Sequence, residues 1–222
     1  VIGSGTMGNG IAHVSALSGH KVILMDLNQK LLDHGLKKIK SNMERQIKKD
    51  NIIKDEMKLA LSNIETTTNI GSLQRCDLII EAATEDTEIK KNIFRSVNEI
   101  STKKTILASN TSSISIDLMA SIIDHPENFI GMHFMNPVPI MRLVEIIKGG
   151  KTSKNTENKI IKLAEKMGKI PVVCNDSPGF VANRILIPMI NEAIFAYEEG
   201  VATVESIDKI MTMGMNHPMG PL

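Results

Sequence analysis

Two side chains near the middle of this 222-residue chain could move a proton between them. His133 and Glu145 stand twelve residues apart, with the turn-forming Asn136-Pro-Val-Pro139 midway. If strands flank that turn and run back antiparallel, imidazole and carboxylate meet face to face. A neutral histidine takes a hydroxyl proton near pH 7, while a carboxylate on its other ring nitrogen fixes the tautomer and stabilises the imidazolium that forms. Glu145 lies inside the apolar run Leu143-Val-Glu-Ile-Ile147, where an unpaired carboxylate is costly. Standing alone, each has a plainer reading, His133 as a structural histidine and Glu145 as a surface charge. Ser112, within Ser109-Asn-Thr-Ser-Ser113, and Asn183 carry a hydroxyl and an amide able to hold a substrate oxygen. Their plainer readings are a turn and a helix-start hydrogen bond.

The opening of the chain carries chemistry of another kind. Gly3, Gly5 and Gly8 fall at G-x-G-x-x-G spacing, with Thr6 and Met7 between them and a strand end at Val1-Ile2 before them. A small-residue helix follows, then a second strand over 21–25 that ends on Asp26. Gly3 permits the tight strand-to-helix turn, Gly5 has no side chain to hold the backbone off a pyrophosphate, and Gly8 lets the helix lie close on the sheet. Free N–H groups and the positive dipole end at the helix start attract phosphates. Asp26 is placed to accept from both hydroxyls of an adenine ribose, and its charge repels a 2′-phosphate, so the pattern favours NAD over NADP. The glycine spacing by itself fits a ligand-free helix entry too; the flanking strand, the helix and Asp26 turn it towards a nucleotide.

Positioning these groups takes alternating strands and helices. Residues 26–63 are charged and helix-favouring, and Leu32, Leu36, Ile39, Met43 and Ile47 recur at four, three, four and four, tracing one apolar helical face. Asp50-Asn51 marks a turn into a second arm bearing Met57 and Leu61, so the segment reads as a helical hairpin protruding from the sheet. Its lysines, Lys37, Lys38, Lys40, Lys48 and Lys49, form either a solvated face or a site for coenzyme phosphates. Strands are expected over 64–68, 77–80, 105–108, 130–134, 143–147 and 171–174, and helices over 87–100 and 155–167. The Ser109 to Ser113 block then directly follows a strand, where the carboxyl ends of parallel strands line a ligand crevice. These elements predict a doubly wound, mostly parallel Rossmann-type α/β sheet with a helical hairpin insertion over residues 1–176.

Beyond the segment 175–179 the texture is helical. Ser177 and Pro178 read as cap and first-turn residues of a helix that runs to Gly200 and bends at Pro188. Its many apolar positions, Ile187, Ile190 and Ile194 among them, call for burial in a domain core or a subunit interface. Thr203 opens a shorter helix that stops before Gly214. Residues 177–222 are thus expected to form an all-α domain.

A chain of 222 residues with 42% apolar content can fill one large core or two modest ones. A net charge of +1, no Trp, one Tyr and five Phe offer neither a basic footprint nor a stacking platform, so nucleic acid is not an expected partner. No apolar run reaches the roughly 18 residues of a membrane span. Cys76 and Cys174 have neither metal-ligand nor disulfide-framework spacing; they read as small buried hydrophobes suited to a reducing compartment, and no metal site is expected. The turn glycine at position 3 leaves only Val1 and Ile2 for a strand, and His217-Pro-Met-Gly-Pro-Leu222 has no closing element after it. The chain therefore reads as truncated at both ends.

Together the motifs resemble the L-3-hydroxyacyl-CoA dehydrogenase family, most closely its short-chain bacterial members, over essentially the whole chain. The resemblance rests on Gly3-Ser-Gly-Thr-Met-Gly-Asn-Gly-Ile-Ala12, Ile80-Glu-Ala-Ala83, Ala108-Ser-Asn-Thr-Ser-Ser113 and His133-Phe-Met-Asn-Pro-Val-Pro139 with Leu143-Val-Glu145. Ser177-Pro-Gly-Phe-Val-Ala-Asn-Arg184 and His217-Pro-Met-Gly-Pro221 complete it. It implies that His133 is the general base that removes a 3-hydroxyl proton as hydride leaves for nicotinamide, with Glu145 its orienting partner. Ser112 and Asn183 then hold the substrate oxygen and the nicotinamide side of the site, supported by Asn136. Glu85 and Lys90 match cofactor-contacting positions, Lys49 and Ser112 match contacts of the coenzyme A substrate, and Asp26 matches the ribose-binding acid. The resemblance further implies NAD as cofactor, an acyl-CoA substrate in fatty-acid or butanoate metabolism, a homodimer or larger homo-oligomer, and a cytoplasmic location. Met135 stands where a second Phe is usual and Ala182 where Val is common; neither change removes a polar group.

Two other readings share part of the pattern. A 3-hydroxyacid or 6-phosphogluconate-type dehydrogenase has the same opening fingerprint, but those families resemble one another in a lysine on the long inter-domain helix. Here no Lys follows Asn183-Arg184 until Lys209. A non-catalytic dinucleotide-binding protein would keep the fold, and the intact His133 and Glu145 argue against it.

Overall fold

A computed structural model, covering residues 1–222, alternates strands and helices as far as Asn175 and is helical thereafter. It separates into two compact units, Val1–Asp176 and Ser177–Leu222. In the first unit the chain runs α1 (Thr6–Leu17), β1 (Val22–Met25), α2 (Gln29–Ile47), α3 (Lys54–Ser62), β2 (Ile64–Thr67), β3 (Leu78–Glu81), α4 (Thr87–Ile100) and β4 (Ile106–Ser109). It continues through α5 (Ile116–Ala120), β5 (Phe129–Phe134), β6 (Leu143–Lys148), α6 (Lys154–Lys166) and β7 (Ile170–Asn175). The short helix α5 and the 3-10 turns at Ile70–Arg75 and Pro126–Asn128 are additions to the expected pattern.

Ile2 is where the sheet changes direction. It forms parallel bridges to Met25 on one side and Glu81 on the other, joining the pair β1-β2 to the run β3-β4-β5-β6-β7. Its backbone hydrogen bonds, Ile2 N to Ile80 O at 2.9 Å and Ala82 N to Ile2 O at 2.8 Å, extend the ladder by one residue before Gly3 turns the chain into α1. All pairings are parallel except β5 with β6, which is antiparallel. This is the doubly wound arrangement, and ligands of such sheets bind at the carboxyl ends of the strands where the winding reverses.

Helix α1 has no polar face because it is covered on both sides. Ile11 and Val14 pack with Ile80, Ala108, Ile130, Met132, Val144 and Ile146 of the sheet. Ala12 and Ala16 meet Val22 and Leu24 of β1, Leu32, Ile39 and Met43 of α2, and Ala60 of α3. The small residues read from the sequence are what let three layers approach this closely. The α2–α3 hairpin thus lies against α1 and β1 with its apolar stripe, while Lys37, Lys38, Lys40, Lys48 and Lys49 are exposed.

His13, fully buried on α1, contributes a pH dependence to this packing. Its Nε2 lies 2.8 Å from the amide oxygen of Gln46 on α2, and its Nδ1 is buried without a hydrogen-bond partner. Burial, offset in part by the Gln46 bond and reinforced by the Lys169 charge, lowers its pKa from 6.5 to about 4. Between those values the unfolded chain holds a proton that the folded chain refuses. Stability is therefore full above pH 6.5 and declines as the pH falls towards 4, by roughly 3 kcal/mol. Urea titrations at stepped pH should show this decline and lose it in His13→Gln; equal pH slopes in the two proteins would remove His13 as its source.

In the second unit α7 (Ala182–Glu198) and α8 (Val204–Lys209) are followed by a wider helical turn at Ile210–Gly214. One expectation is corrected here. Ser177 and Pro178 do not start α7, because Gly179 and Phe180 take positive φ values of 74° and 51° and hold the chain in a turn. Helix α7 begins three residues after Gly179, with the Arg184 guanidinium donating back to Ser177 Oγ at 2.6 Å. Within this chain only Ala193 of α7 is buried, and Ile185, Ile187 and Tyr197 are 64%, 58% and 53% exposed, so of the two expected coverings this chain does not supply a domain core.

Candidate active site

The antiparallel pairing of β5 with β6 places His133 directly opposite Glu145 in register. His133 Nδ1 lies 2.7 Å from Glu145 Oε2, with both side chains nearly buried. A carboxylate only accepts, so Nδ1–H is the donor and Nε2 carries the lone pair. The twelve-residue spacing and the proline turn thus bring imidazole and carboxylate together. The backbone N–H of Phe134, next to His133, donates to Asn110 Oδ1 at 2.9 Å and ties β5 to the segment after β4.

That segment is organised by carboxylates that sequence reading passed over or read differently. Glu85 Oε1 accepts from Thr111 Oγ1 at 2.5 Å and from Ser112 N at 2.8 Å, with Ser112 Oγ at 3.2 Å. Burial acts to raise the Glu85 pKa, but the bonds from Thr111 and Ser112 and the Lys90 charge together outweigh it and hold the carboxyl below its ordinary value. Lys90 is 1% exposed: its ammonium sits 2.7 Å from Glu81 and 3.3 Å from Glu85. It therefore acts on its surroundings by holding Glu85. Glu81, fully buried, also accepts from Ala83 N and from Ser109 Oγ, each at 2.7 Å. Only its place in the Ile80-Glu-Ala-Ala83 block at a strand end hinted at this hub.

The glycine turn fits a dinucleotide on the geometry of its backbone. Gly3 has φ 93°, and a Cβ on Gly8 would lie 1.7 Å from Gly3 O, so turn and helix are in contact. A Cβ on Gly5, the N-cap of α1, would meet nothing within 4 Å, and no side chain caps the helix. Open space in front of uncapped first-turn N–H groups is what a pyrophosphate requires. Asp26 closes β1 beside it. Its Oδ2 accepts from Ser4 N and Ser4 Oγ, both at 2.6 Å, and its Oδ1 accepts from Leu27 N at 2.7 Å. Ser4, missed from the sequence, orients the carboxylate and leaves Oδ1 the freer oxygen for a ribose.

The remaining candidates lie on several elements. Thr6 is exposed on the first turn of α1, and Met7 packs on the sheet core. Asn136 is exposed in the β5–β6 turn, and Lys49 is exposed at the tip of the α2–α3 hairpin beside Asp50. Asn183 is the second residue of α7 in the other unit. No group of three His, Cys, Asp or Glu side chains is placed to hold a metal, and no helix is long and apolar enough to cross a membrane.

A dinucleotide cradle at the switch point, and a carboxylate-backed histidine at the same edge of the sheet, define a nucleotide-dependent oxidoreductase of the doubly wound class. The family model for the 3-hydroxyacyl-CoA dehydrogenase NAD binding domain matches residues 1–177, and the model for the C-terminal domain of the same enzymes matches 179–222. The chain belongs to the 3-hydroxyacyl-CoA dehydrogenase family, whose members are NAD-dependent oxidoreductases, and its cofactor is NAD. It is 49% identical over 222 residues to a probable 3-hydroxybutyryl-CoA dehydrogenase of Deinococcus radiodurans, covering all of this chain and 80% of that one. The 3-hydroxybutyryl-CoA dehydrogenase of Clostridioides difficile is likewise 49% identical, with 79% of its length covered. A crystal structure of (S)-3-hydroxybutyryl-CoA dehydrogenase from Ralstonia eutropha superposes with a TM-score of 0.98 at 44% identity, over 100% of this chain and 78% of that one.

Proposed function

We propose that the chain catalyses reversible NAD-linked oxidation of a short-chain L-3-hydroxyacyl-CoA, 3-hydroxybutanoyl-CoA, to the 3-ketoacyl-CoA. The observation that carries this reading is the 2.7 Å contact between His133 Nδ1 and Glu145 Oε2 at the edge where the cradle opens. Bound NAD supplies the hydride acceptor. His133 Nε2 takes the 3-hydroxyl proton as the carbonyl forms, and Glu145 steadies the imidazolium through Nδ1–H. In the reverse direction the same nitrogen returns the proton. Ser112, held by Glu85, presents its hydroxyl to the substrate oxygen and the cofactor, with Asn136 supporting from the β5–β6 turn; the part given to Asn183 rests on family resemblance alone. Gly3, Gly5, Thr6, Met7 and Gly8 hold the phosphates, Asp26 the ribose, and Glu85 with Lys90 behind it the nicotinamide side. Lys49 on the hairpin offers a cation to the coenzyme A phosphates.

The exposed apolar residues of α7 support assembly as a homodimer or larger homo-oligomer, and the two free cysteines suit a reducing, cytoplasmic setting. Fatty-acid or butanoate metabolism is the matching role. The test is loss of NADH absorbance with acetoacetyl-CoA in the native protein. Turnover is expected with NADH and far less with NADPH, because the Asp26 carboxylate repels a 2′-phosphate. Faster reduction of free acetoacetate than of its coenzyme A ester would overturn the substrate assignment.

A further inference from the structure

We propose that Lys169 is a positioning residue for the His133–Glu145 pair, clamping the turn that joins their two strands. The inference rests on the reading of that pair as the proton-transfer dyad. Lys169 immediately precedes β7, whose first residue, Ile170, pairs with Leu143 at the start of β6. Its side chain is buried, 8% exposed, and its ammonium donates to two backbone carbonyls of the turn, those of Val138 and of Met141, the latter at 2.8 Å. Within the turn, Ile140 N and Met141 N both donate to Pro137 O at 2.9 Å. The internal bonds close the turn, and the lysine fixes it from outside.

The same turn is seated on the helix that starts at the cradle. Val138 is 2% exposed, and a Cβ on Gly10 of α1 would lie 2.7 Å from Val138 Cβ. Side chain and helix are therefore in direct contact, two residues along from Gly8. Lys169 binds the carbonyl of that same Val138, so the turn is held both by its packing on the dinucleotide helix and by a buried charge. A buried ammonium is costly unless its donors are matched, and burial draws the Lys169 pKa below its ordinary value. An aliphatic residue would fill the space without that penalty, but it would leave the two carbonyls without this donor. Asn136 lies in the clamped turn and His133 three residues before it, so a loosened turn displaces the catalytic nitrogen. Displacement of a reacting group by about 1 Å costs on the order of 100-fold in rate.

The test uses the native protein with Lys169→Met, which keeps the stem and removes the donors, and Lys169→Gln, which keeps an amide donor. Lys169→Met should lower kcat with acetoacetyl-CoA by about 10- to 100-fold while the NADH dissociation constant stays within about threefold, and Lys169→Gln should recover part of the loss. In a His133→Gln background, Lys169→Met should cost nothing more, because the clamp acts only through the dyad. Unchanged kcat in Lys169→Met, a further loss in the double variant, or parallel loss of NADH binding in both variants would each overturn the proposal. Full activity in His133→Gln would instead overturn the dyad, and this inference with it.

Discussion

His133→Gln should bind NADH as the wild type does and lose about 100- to 10,000-fold in kcat with acetoacetyl-CoA. Glutamine fills similar space and can still donate to Glu145, but it has no nitrogen lone pair to take the hydroxyl proton. Glu145→Gln is the informative companion. Its amide can donate to Nδ1, which favours the tautomer whose Nε2 carries the proton, the wrong one for a base. The two variants should therefore fail alike although one keeps its imidazole. Stopped-flow reduction with each variant, alongside NADH fluorescence titration, separates the chemical step from binding. Near-normal turnover in His133→Gln would mean that another group moves the proton, and near-normal turnover in Glu145→Gln that the 2.7 Å contact is structural.

The second large effect is expected at two glycines of the cradle that look alike in sequence and differ in space. A methyl on Gly8 would lie 1.7 Å from Gly3 O, a backbone atom that cannot yield without moving the turn. Gly8→Ala should cost roughly 3 kcal/mol, about 100-fold in NADH affinity, and lower the melting temperature as well. A methyl on Gly5 would meet nothing of the protein within 4 Å. It would stand at the N-cap of α1, where the proposed pyrophosphate sits, so Gly5→Ala should lose NADH binding with its melting temperature unchanged. If Gly5→Ala binds NADH normally, the pyrophosphate does not lie against that turn.

These contrasts show where sequence reading reaches its limit. The spacing of His133 and Glu145 around a proline turn implied an antiparallel pair, and the observed register sets them opposite each other. The apolar period of α2 and the Asp50-Asn51 break were likewise legible, because both are local properties of the chain. By contrast, Lys90 carries an ordinary surface residue type on an amphipathic helix, and nothing in its neighbourhood announces a buried partner nine residues earlier. Ser4 carries no signal of its own between two glycines, and only the fold brings Asp26 to its N–H and hydroxyl. For helix α7 the apolar composition signals a surface that needs covering, but not what covers it. Its start was misplaced for a backbone reason, the positive φ of Phe180, which no residue type at that position predicts.

By itself the sequence determined the winding of the sheet, the glycine turn and the facing of His133 by Glu145, because strand period, glycine spacing and turn chemistry act over a few residues. Tertiary structure alone decided which carboxylates are hubs, which lysines are buried and which face of α7 is bare. Those outcomes depend on which distant strands and helices become neighbours, and a charge or an apolar face has no settled energy until its neighbours are in place.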